Sequence, residues 1–252
     1  MTQSTRLPEP LRAFGGNLTA LVTGASSGIG LATARLLVEA DIDVWIGARN
    51  LERAGQVARE LGDRARAVRI DVTDSAAIAA AAETVGALDI LVNNAGINPG
   101  GEDIQTTTLD QMRRSYETNV FGLVAVTQAF LPALARSAHP RIVNISSGTG
   151  SLGWNGGPNP QFDWQRVRGG GIAYRSAKTA VNAITLMTAQ ALGERFKVNA
   201  LAPGLRRTNL IPGMTAGGDP TEAAAGVLRL ALLPDHGPTG GFWSWDGTSV
   251  PW

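Results

Sequence analysis

Short apolar runs alternate with longer amphipathic stretches along most of this chain. Leu18 to Val22, Val44-Trp45-Ile46-Gly47, Ala67-Val68-Arg69-Ile70, Ile90-Leu91-Val92, Arg141-Ile142-Val143-Asn144-Ile145 and Val198-Asn199-Ala200-Leu201 read as buried strands. Gly241-Phe242-Trp243 reads as a short edge strand. Helical spacing runs through Leu31 to Val38, Leu51 to Leu61 and an alanine-rich stretch from about Ser75 to Val85. It returns from about Ile172 to Leu192, with Ala177, Val181, Ile184 and Met187 on one stripe. Thr108-Leu109-Asp110-Gln111 reads as a capping box opening a long helix to about Leu134. Asp219-Pro220-Thr221-Glu222 caps a last helix, with proline at the favoured first position. Such alternation predicts an α/β fold: a single Rossmann-type, doubly wound parallel sheet of about seven strands, flanked by helices on both faces.

Two stretches break the rhythm. Met1 to Gly16 is polar, holds Pro8 and Pro10, and lacks the apolar core of a secretory signal. Residues 1–17 are therefore expected to form a flexible arm on a cytoplasmic protein, with one catalytic domain over 18–252. Gly148 to Gly171 is rich in Gly, Pro and Asn, with Trp154, Phe162 and Trp164 interleaved. It reads as a long loop, and loops of that length in compact domains are often functional.

Composition removes several function classes. A formal net charge of +1 without a basic block gives no reason to expect nucleic acid or an anionic membrane surface. No uninterrupted apolar run approaches the ~18 residues of a spanning helix. The chain has no cysteine, which excludes disulfides, thiolate catalysis and Cys-based metal sites. Its two histidines, His139 and His236, read as exposed loop residues, so neither a metal site nor a Ser-His-Asp triad is expected.

The chemistry gathers at the carboxyl ends of the strands, where ligands of such sheets bind. After the first strand comes Thr23-Gly24-Ala25-Ser26-Ser27-Gly28-Ile29-Gly30, then a helix. Strand, glycine turn and helix together make a dinucleotide site. Gly24 permits the sharp turn, Gly28 lets the backbone approach a pyrophosphate, and Gly30 lets helix and strand pack closely. The helix N-terminus then offers N–H groups to phosphate. At the end of the second strand an NAD site carries Asp or Glu for the ribose 2′-hydroxyl. Here Ala48 stands in that place and Arg49 follows, a cation suited to a 2′-phosphate, so NADPH is the expected cofactor. Asp43 lies at the wrong end of that strand and reads as a turn residue.

Tyr174 and Lys178 lie four apart, one turn along one helix face. An ammonium near a phenol favours the phenolate and lowers its pKa, which makes tyrosine a usable proton carrier.

The order Thr23-Gly24-x-x-x-Gly28-x-Gly30, Asn93-Asn94-Ala95-Gly96, Asn119, Ser147, Tyr174-x-x-x-Lys178, Pro203-Gly204 resembles that of short-chain dehydrogenases/reductases. The match runs from about Leu18 onward. The tail, Gly237-Pro238-Thr239-Gly240-Gly241-Phe242 with Asp246-Gly247, is most similar to the carbonyl-reductase-like branch. The resemblance implies catalytic roles for Asn119, Ser147, Tyr174 and Lys178. Tyr174 would be the general acid or base, and Lys178 would bond the nicotinamide ribose and lower the Tyr174 pKa. Ser147 would hold the substrate oxygen, and Asn119 would join Lys178 to a water relay. Ser146 would only bond local backbone. Cofactor contacts would come from Gly24, Ser26, Ser27, Gly28, Ile29, Gly30, Arg49, Asp71, Val72, Asn93, Ala95, Gly96, Tyr174, Lys178, Pro203, Gly204 and Thr208. Among these, Asp71 and Val72 resemble the adenine-binding pair, Thr208 the residue that reaches the carboxamide, and Asn93 suits tying neighbouring strands together.

Two departures qualify the resemblance. From Ser147 to Tyr174 is 27 residues, longer than the usual family spacing, which makes 148–171 an insertion. Longer insertions there accompany monomers in some carbonyl reductases, so a homo-oligomer on the two long helices and a monomer both stay open. Arg206-Arg207 is unusual beside a cofactor and reads as a solvated loop. The expected activity is NADPH-dependent reduction of a ketone or aldehyde. Ser147, Trp154 and Tyr174 would touch a bulky, apolar substrate under the insertion, with Leu210 to Met214 closing the opposite side. The alternatives are a secondary-alcohol dehydrogenase, a metabolite-tailoring reductase acting on a larger molecule or an imine, and a non-catalytic dinucleotide-binding regulator.

Overall fold

A computed structural model describes residues 18–252, apart from 102, 161–169, 212 and 214. Seven strands form one parallel sheet: β1 (Thr19–Thr23), β2 (Asp43–Ala48), β3 (Ala65–Arg69), β4 (Ile90–Asn93), β5 (Arg141–Ile145), β6 (Lys197–Ala202) and β7 (Phe242–Ser244). Their order is β3-β2-β1-β4-β5-β6-β7, so the sheet winds outward in both directions from β1 and β4. The helices are α1 (Gly28–Glu39), α2 (Leu51–Leu61), α3 (Ser75–Val85), α4 (Leu109–Tyr116), α5 (Gly122–Arg136), α6 (Leu152–Gly156), α7 (Ile172–Leu192) and α8 (Pro220–Ala231). The Rossmann-type α/β expectation holds, with both faces of the sheet covered.

Alternate strand residues feed two cores. Val22, Ile46 and Val92 face one side, where α1, α2 and α8 bring Leu37, Val57 and Leu230. Leu21, Leu91 and Ile142 face the other, against Ile78 of α3, Phe130 of α5 and Ala189 of α7. The helical stretch Leu109–Arg136 is long and apolar enough, by composition, to cross a membrane. Its Val126, Phe130 and Leu134 are instead spent on the sheet.

Local chemistry sets the ends of the elements. Thr108 and Gln111 form the expected capping box of α4. Asp219 caps α8 through the Thr221 N–H, with Pro220 in the first turn. Asp43 opens β2 rather than sitting in a turn, and its carboxylate pairs with Arg64 at 3.0 Å. The third strand begins two residues earlier than its apolar run suggests, because Ala65 already pairs with Val44.

The long helix expected from Thr108 to Leu134 is not one α-helix. Residues Glu117–Phe121 form a π-helical turn between α4 and α5. Such single turns recur at functional sites, and this one contains Asn119.

The glycine turn is dictated by space. Gly24 has φ +66° and lies against the Ala95 backbone. At Gly30 an added Cβ would come within 2.5 Å of Asn94 Nδ2 and 2.6 Å of the Gly24 carbonyl oxygen. Nothing larger than hydrogen fits between α1 and the ends of β1 and β4.

The stretch 148–171 is more ordered at its root than a loop. A 3-10 turn, Gly148–Gly150, leads into α6, capped by the Ser151 hydroxyl on the Trp154 N–H. Trp154 is buried with Ala200, Ala202, Phe242 and Val250, and Trp252 packs alongside. Backbone bonds clamp the same root: Gly153 N–H donates to the Trp252 carbonyl at 2.7 Å, and Ser151 Oγ to that of Pro251 at 2.5 Å. Trp154 is therefore a core residue, and the expectation that it touches substrate is corrected: its indole finds its apolar partners on the sheet edge. Phe162, Trp164 and the arm 1–17 lie outside the described residues.

Replacing Trp154 with alanine should lower stability by about 3–5 kcal/mol, the range for aromatic truncation in a core. Chemical denaturation would show it as a lower midpoint with unchanged cofactor affinity. A midpoint equal to that of the unaltered protein would return Trp154 to the substrate side.

Candidate active site

Residues after the carboxyl ends of β1 to β6 line one cleft of about 500 Å³. One end holds Ala48, Arg49, Asp71, Val72 and Thr73; the other holds Ser146, Tyr174, Lys178 and Pro203, with Thr208 to Leu210. Gly24, Ser26 to Ile29 and Asn94 to Pro99 connect them.

The middle suits a pyrophosphate. Ser27 takes the N-cap position of α1 but makes no side-chain cap bond, so the helix keeps first-turn N–H groups for a ligand. Thr208 closes over this turn: an added Cβ on Gly28 would meet its methyl group at 3.2 Å. An elongated cleft with an uncapped helix start at its centre fits a dinucleotide.

At the outer end Arg49 is exposed and lines the cleft beside Asp71. Burial pushes the Asp71 carboxyl up. Hydrogen bonds from the Thr73 N–H and hydroxyl, with Arg49 and Arg69 nearby, outweigh it and hold the group below its usual range. Val72 lines the same end and packs against Gly122 of α5.

Asn93 does not reach the cleft. It is buried, and its Nδ2 donates to Thr127 Oγ1 at 3.0 Å and Asn144 Oδ1 at 2.9 Å. The cofactor contact expected of it is corrected to a tie between β4, β5 and α5. Gly30 and Gly204 also stand back from the lining, Gly30 as the packing glycine of α1 and Gly204 as a positive-φ turn against Trp245.

A junction that sequence reasoning passed over joins β1 to β4. Thr23 Oγ1 accepts from the N–H groups of both Asn94 and Ala95 at 3.0 Å. Asn94 Nδ2 returns to the Thr23 carbonyl at 2.8 Å. The signal was present as the threonine before Gly24 and the second asparagine of Asn93-Asn94.

The reactive end brings Ser147, Tyr174, Lys178 and Asn119 together. Ser147 stands beside the Tyr174 hydroxyl and draws its pKa down, while its own Oγ bonds Thr149 Oγ1 at 2.8 Å and accepts the Thr149 N–H at 3.2 Å. Lys178 Nζ lies 5.6 Å from the Tyr174 ring centroid and donates to the Ile145 carbonyl at 2.6 Å. Asn119 is buried in its π-turn. Its Nδ2 donates to the Ile97 carbonyl at 2.9 Å and Ser115 Oγ at 3.1 Å, while Oδ1 accepts the Ile97 N–H. Both amide hydrogens are committed, so oxygen is what Asn119 can offer a relay. Gly96 leaves the opening between them: a Cβ there would stand 2.9 Å from Asn119 Oδ1 and 3.8 Å from Lys178 Nζ.

Electrostatics here differ from the sequence expectation. Burial pushes the Tyr174 phenol up to about 12, and the Ser147 bond opposes it only in part. Burial brings the Lys178 amine down to about 8. Desolvation disfavours both charged forms and outweighs the phenolate stabilisation expected from a lysine one turn away. Tyr174 is thus a protonated donor at neutral pH.

Two further expectations are corrected. Arg206 is not solvated: its guanidinium stacks 4.4 Å over the Trp245 ring and pairs with Glu222 at 3.0 Å. The flat cation is covered on one face by indole, while Arg207 stays exposed near Asp219. His139 is half-buried and bonds Asp235 at 2.9 Å, at the sheet end away from the cleft; His236 is exposed as expected. Among the described residues no cluster of His, Asp or Glu could hold a metal ion.

Comparison with known proteins gives a consistent picture. The family model described as short chain dehydrogenase matches residues 18–159. A short-chain dehydrogenase of Penicillium roqueforti is 37% identical over 226 residues, covering 84% of this chain and 87% of its own length. The cis-4-hydroxycyclohexanecarboxylate dehydrogenase of Sinomonas cyclohexanicum is 35% identical, covering 86% and 84%. The crystal structure of NADPH-bound carbonyl reductase from chicken fatty liver superposes with a TM-score of 0.79 at 31% identity, covering 94% and 100%.

Lys178 carries its charge only below about pH 8. Affinity for an anionic dinucleotide should therefore weaken as pH rises through that value. Fluorescence titration should show this slope in the unaltered protein and a weak, flat profile in Lys178→Met. A flat profile in both would remove Lys178 from the cofactor site.

Proposed function

This chain belongs to the short-chain dehydrogenase/reductase family, and from that footing we propose that it is an NADPH-dependent reductase of ketones or aldehydes. The observation that carries the reading is the Tyr174 hydroxyl in the cleft lining beside Ser147, with Lys178 one turn away. A reduced nicotinamide supplies hydride to the carbonyl carbon. Tyr174 gives its proton to the carbonyl oxygen, which Ser147 holds and orients. Lys178 would hold the ribose of a bound NADPH, Asp71 and Val72 would take its adenine, and Thr208 its carboxamide.

Reduction draws on the protonated phenol that burial favours here; a secondary-alcohol dehydrogenase would run the same groups in reverse, and the direction is set by the cofactor and substrate supplied.

The preference for NADPH rests on Arg49 in the cleft and Ala48 where an NAD site needs a carboxylate. Among Asn98, Arg114, Thr118 and Asn209, the substrate end has apolar walls from Ile97, Pro99 and Leu210. They suit a cyclic or aryl ketone better than a small polar aldehyde. The similarity to an enzyme named for a substituted cyclohexane supports the same class.

Turnover of NADPH against a panel of cyclic ketones tests the assignment. Tyr174→Phe should bind NADPH nearly normally and lose at least the ~10²-fold that general acid catalysis contributes. Arg49→Ala should raise the KM for NADPH far more than that for NADH. Equal changes for the two cofactors would refute the 2′-phosphate role, and retained turnover in Tyr174→Phe would refute the proton donor.

A further inference from the structure

Three consecutive residues at the end of β5 meet α7, each in a different way. The Ile145 carbonyl accepts from Lys178 Nζ. Ser146 Oγ faces Asn182 Oδ1 at 2.5 Å and the Lys178 carbonyl at 3.2 Å. Ser147 stands beside the Tyr174 hydroxyl. The first and third contacts end on the reactive side chains themselves, whereas the middle one ends on Asn182, one turn beyond Lys178.

Asn182 spends its whole amide inward. While Oδ1 takes the Ser146 hydroxyl, Nδ2 donates to the Gly150 carbonyl at 3.2 Å. That carbonyl also receives Thr179 Oγ1 at 2.9 Å. Gly150 lies directly on the helix, where an added Cβ would fall 2.7 Å from the Lys178 carbonyl carbon. Ser146 and Asn182 are both buried, with 0% and 3% exposure, so water does not compete for these bonds.

Farther along, Asn144 Nδ2 of β5 donates to Thr185 Oγ1 of α7 at 2.9 Å, but the face around the reactive turn is apolar. Ala173, Ala177 and Val181 are small, and apolar contact is non-directional. Asparagine is a mediocre residue for a helix interior, and a buried polar pair is costly unless satisfied. Both costs are met at one position, the turn that carries Tyr174 and Lys178.

We propose that Ser146 and Asn182 are positioning residues, whose bond sets the register of α7 against β5 and so the place of the Tyr174 hydroxyl at the substrate carbonyl. This rests on the reading of Tyr174 as proton donor. Ser146 borders the cleft, but its hydroxyl turns to α7, and Asn182 is not among the lining residues.

The test uses Asn182→Leu, nearly isosteric and unable to bond, Ser146→Ala, and the double variant. Ser146 and Gly150 keep a second bond each, to the Lys178 carbonyl and from Thr179, which favours folding. Thermal melts establish the folded state, and fluorescence titration gives the NADPH affinity. Misplacing a reacting group by about 1 Å costs on the order of 10²-fold. Each single variant should therefore lose roughly 10- to 10²-fold in kcat, while KM and NADPH affinity move by less than about threefold. The double variant should lose less than the product of the two single losses, because the two side chains share one bond. Unchanged kcat in folded single variants, or losses that add in the double, would overturn the proposal. Should Asn182→Leu fail to fold, Ser146→Ala alone decides by the same split of kcat from KM. Tyr174→Phe runs in parallel: if it retains turnover, the proton-donor reading falls and the positioning role falls with it. If it loses turnover while the folded variants keep theirs, only the positioning role is lost.

Discussion

The constraint on which this structure depends is the parting of β1 and β4. These strands are hydrogen-bonded neighbours, yet α1 leaves β1 for one face of the sheet while α4 and α5 follow β4 to the other. A crevice must open between the two departing chains. The Thr23 hydroxyl and the Asn94 side chain keep it from splaying by replacing the ladder bonds that end there. The glycine turn sits on that junction, so the phosphate position, the angle of α1 and the depth of the cleft share one cause.

Much of this was legible in the chain. The doubly wound parallel class follows from alternation and right-handed crossovers, and side-chain caps at Thr108 and Asp219 mark helix starts because they are local events. The residues lining the cleft largely announce themselves by standing at strand ends. What stayed hidden involves distance in sequence. Asn119 inside a π-turn looks like any mid-helix asparagine until Ile97 is placed against it. Arg206 reads as solvent-facing until Trp245, 39 residues on, covers it. Trp154 seemed to need a ligand because its neighbours are polar; its true partners come from β6, β7 and residue 250.

Electrostatics was hidden for another reason. Helical spacing places a lysine near a tyrosine but is silent about how dry the place is. Here burial dominates both groups and moves them toward neutrality. The pair holds its protons ready, in the sense that a donor is present before substrate arrives. Charge is lent chiefly by what binds.

The root of the insertion is held through main-chain carbonyls of residues 251 and 252, by Gly153 N–H and Ser151 Oγ. Main-chain acceptors are indifferent to the side chains they carry. The anchor therefore persists under sequence drift at those two positions, and the loop departs from a fixed base next to Tyr174. Length and composition in the distal part of such a loop can change while the catalytic groups stay where they are.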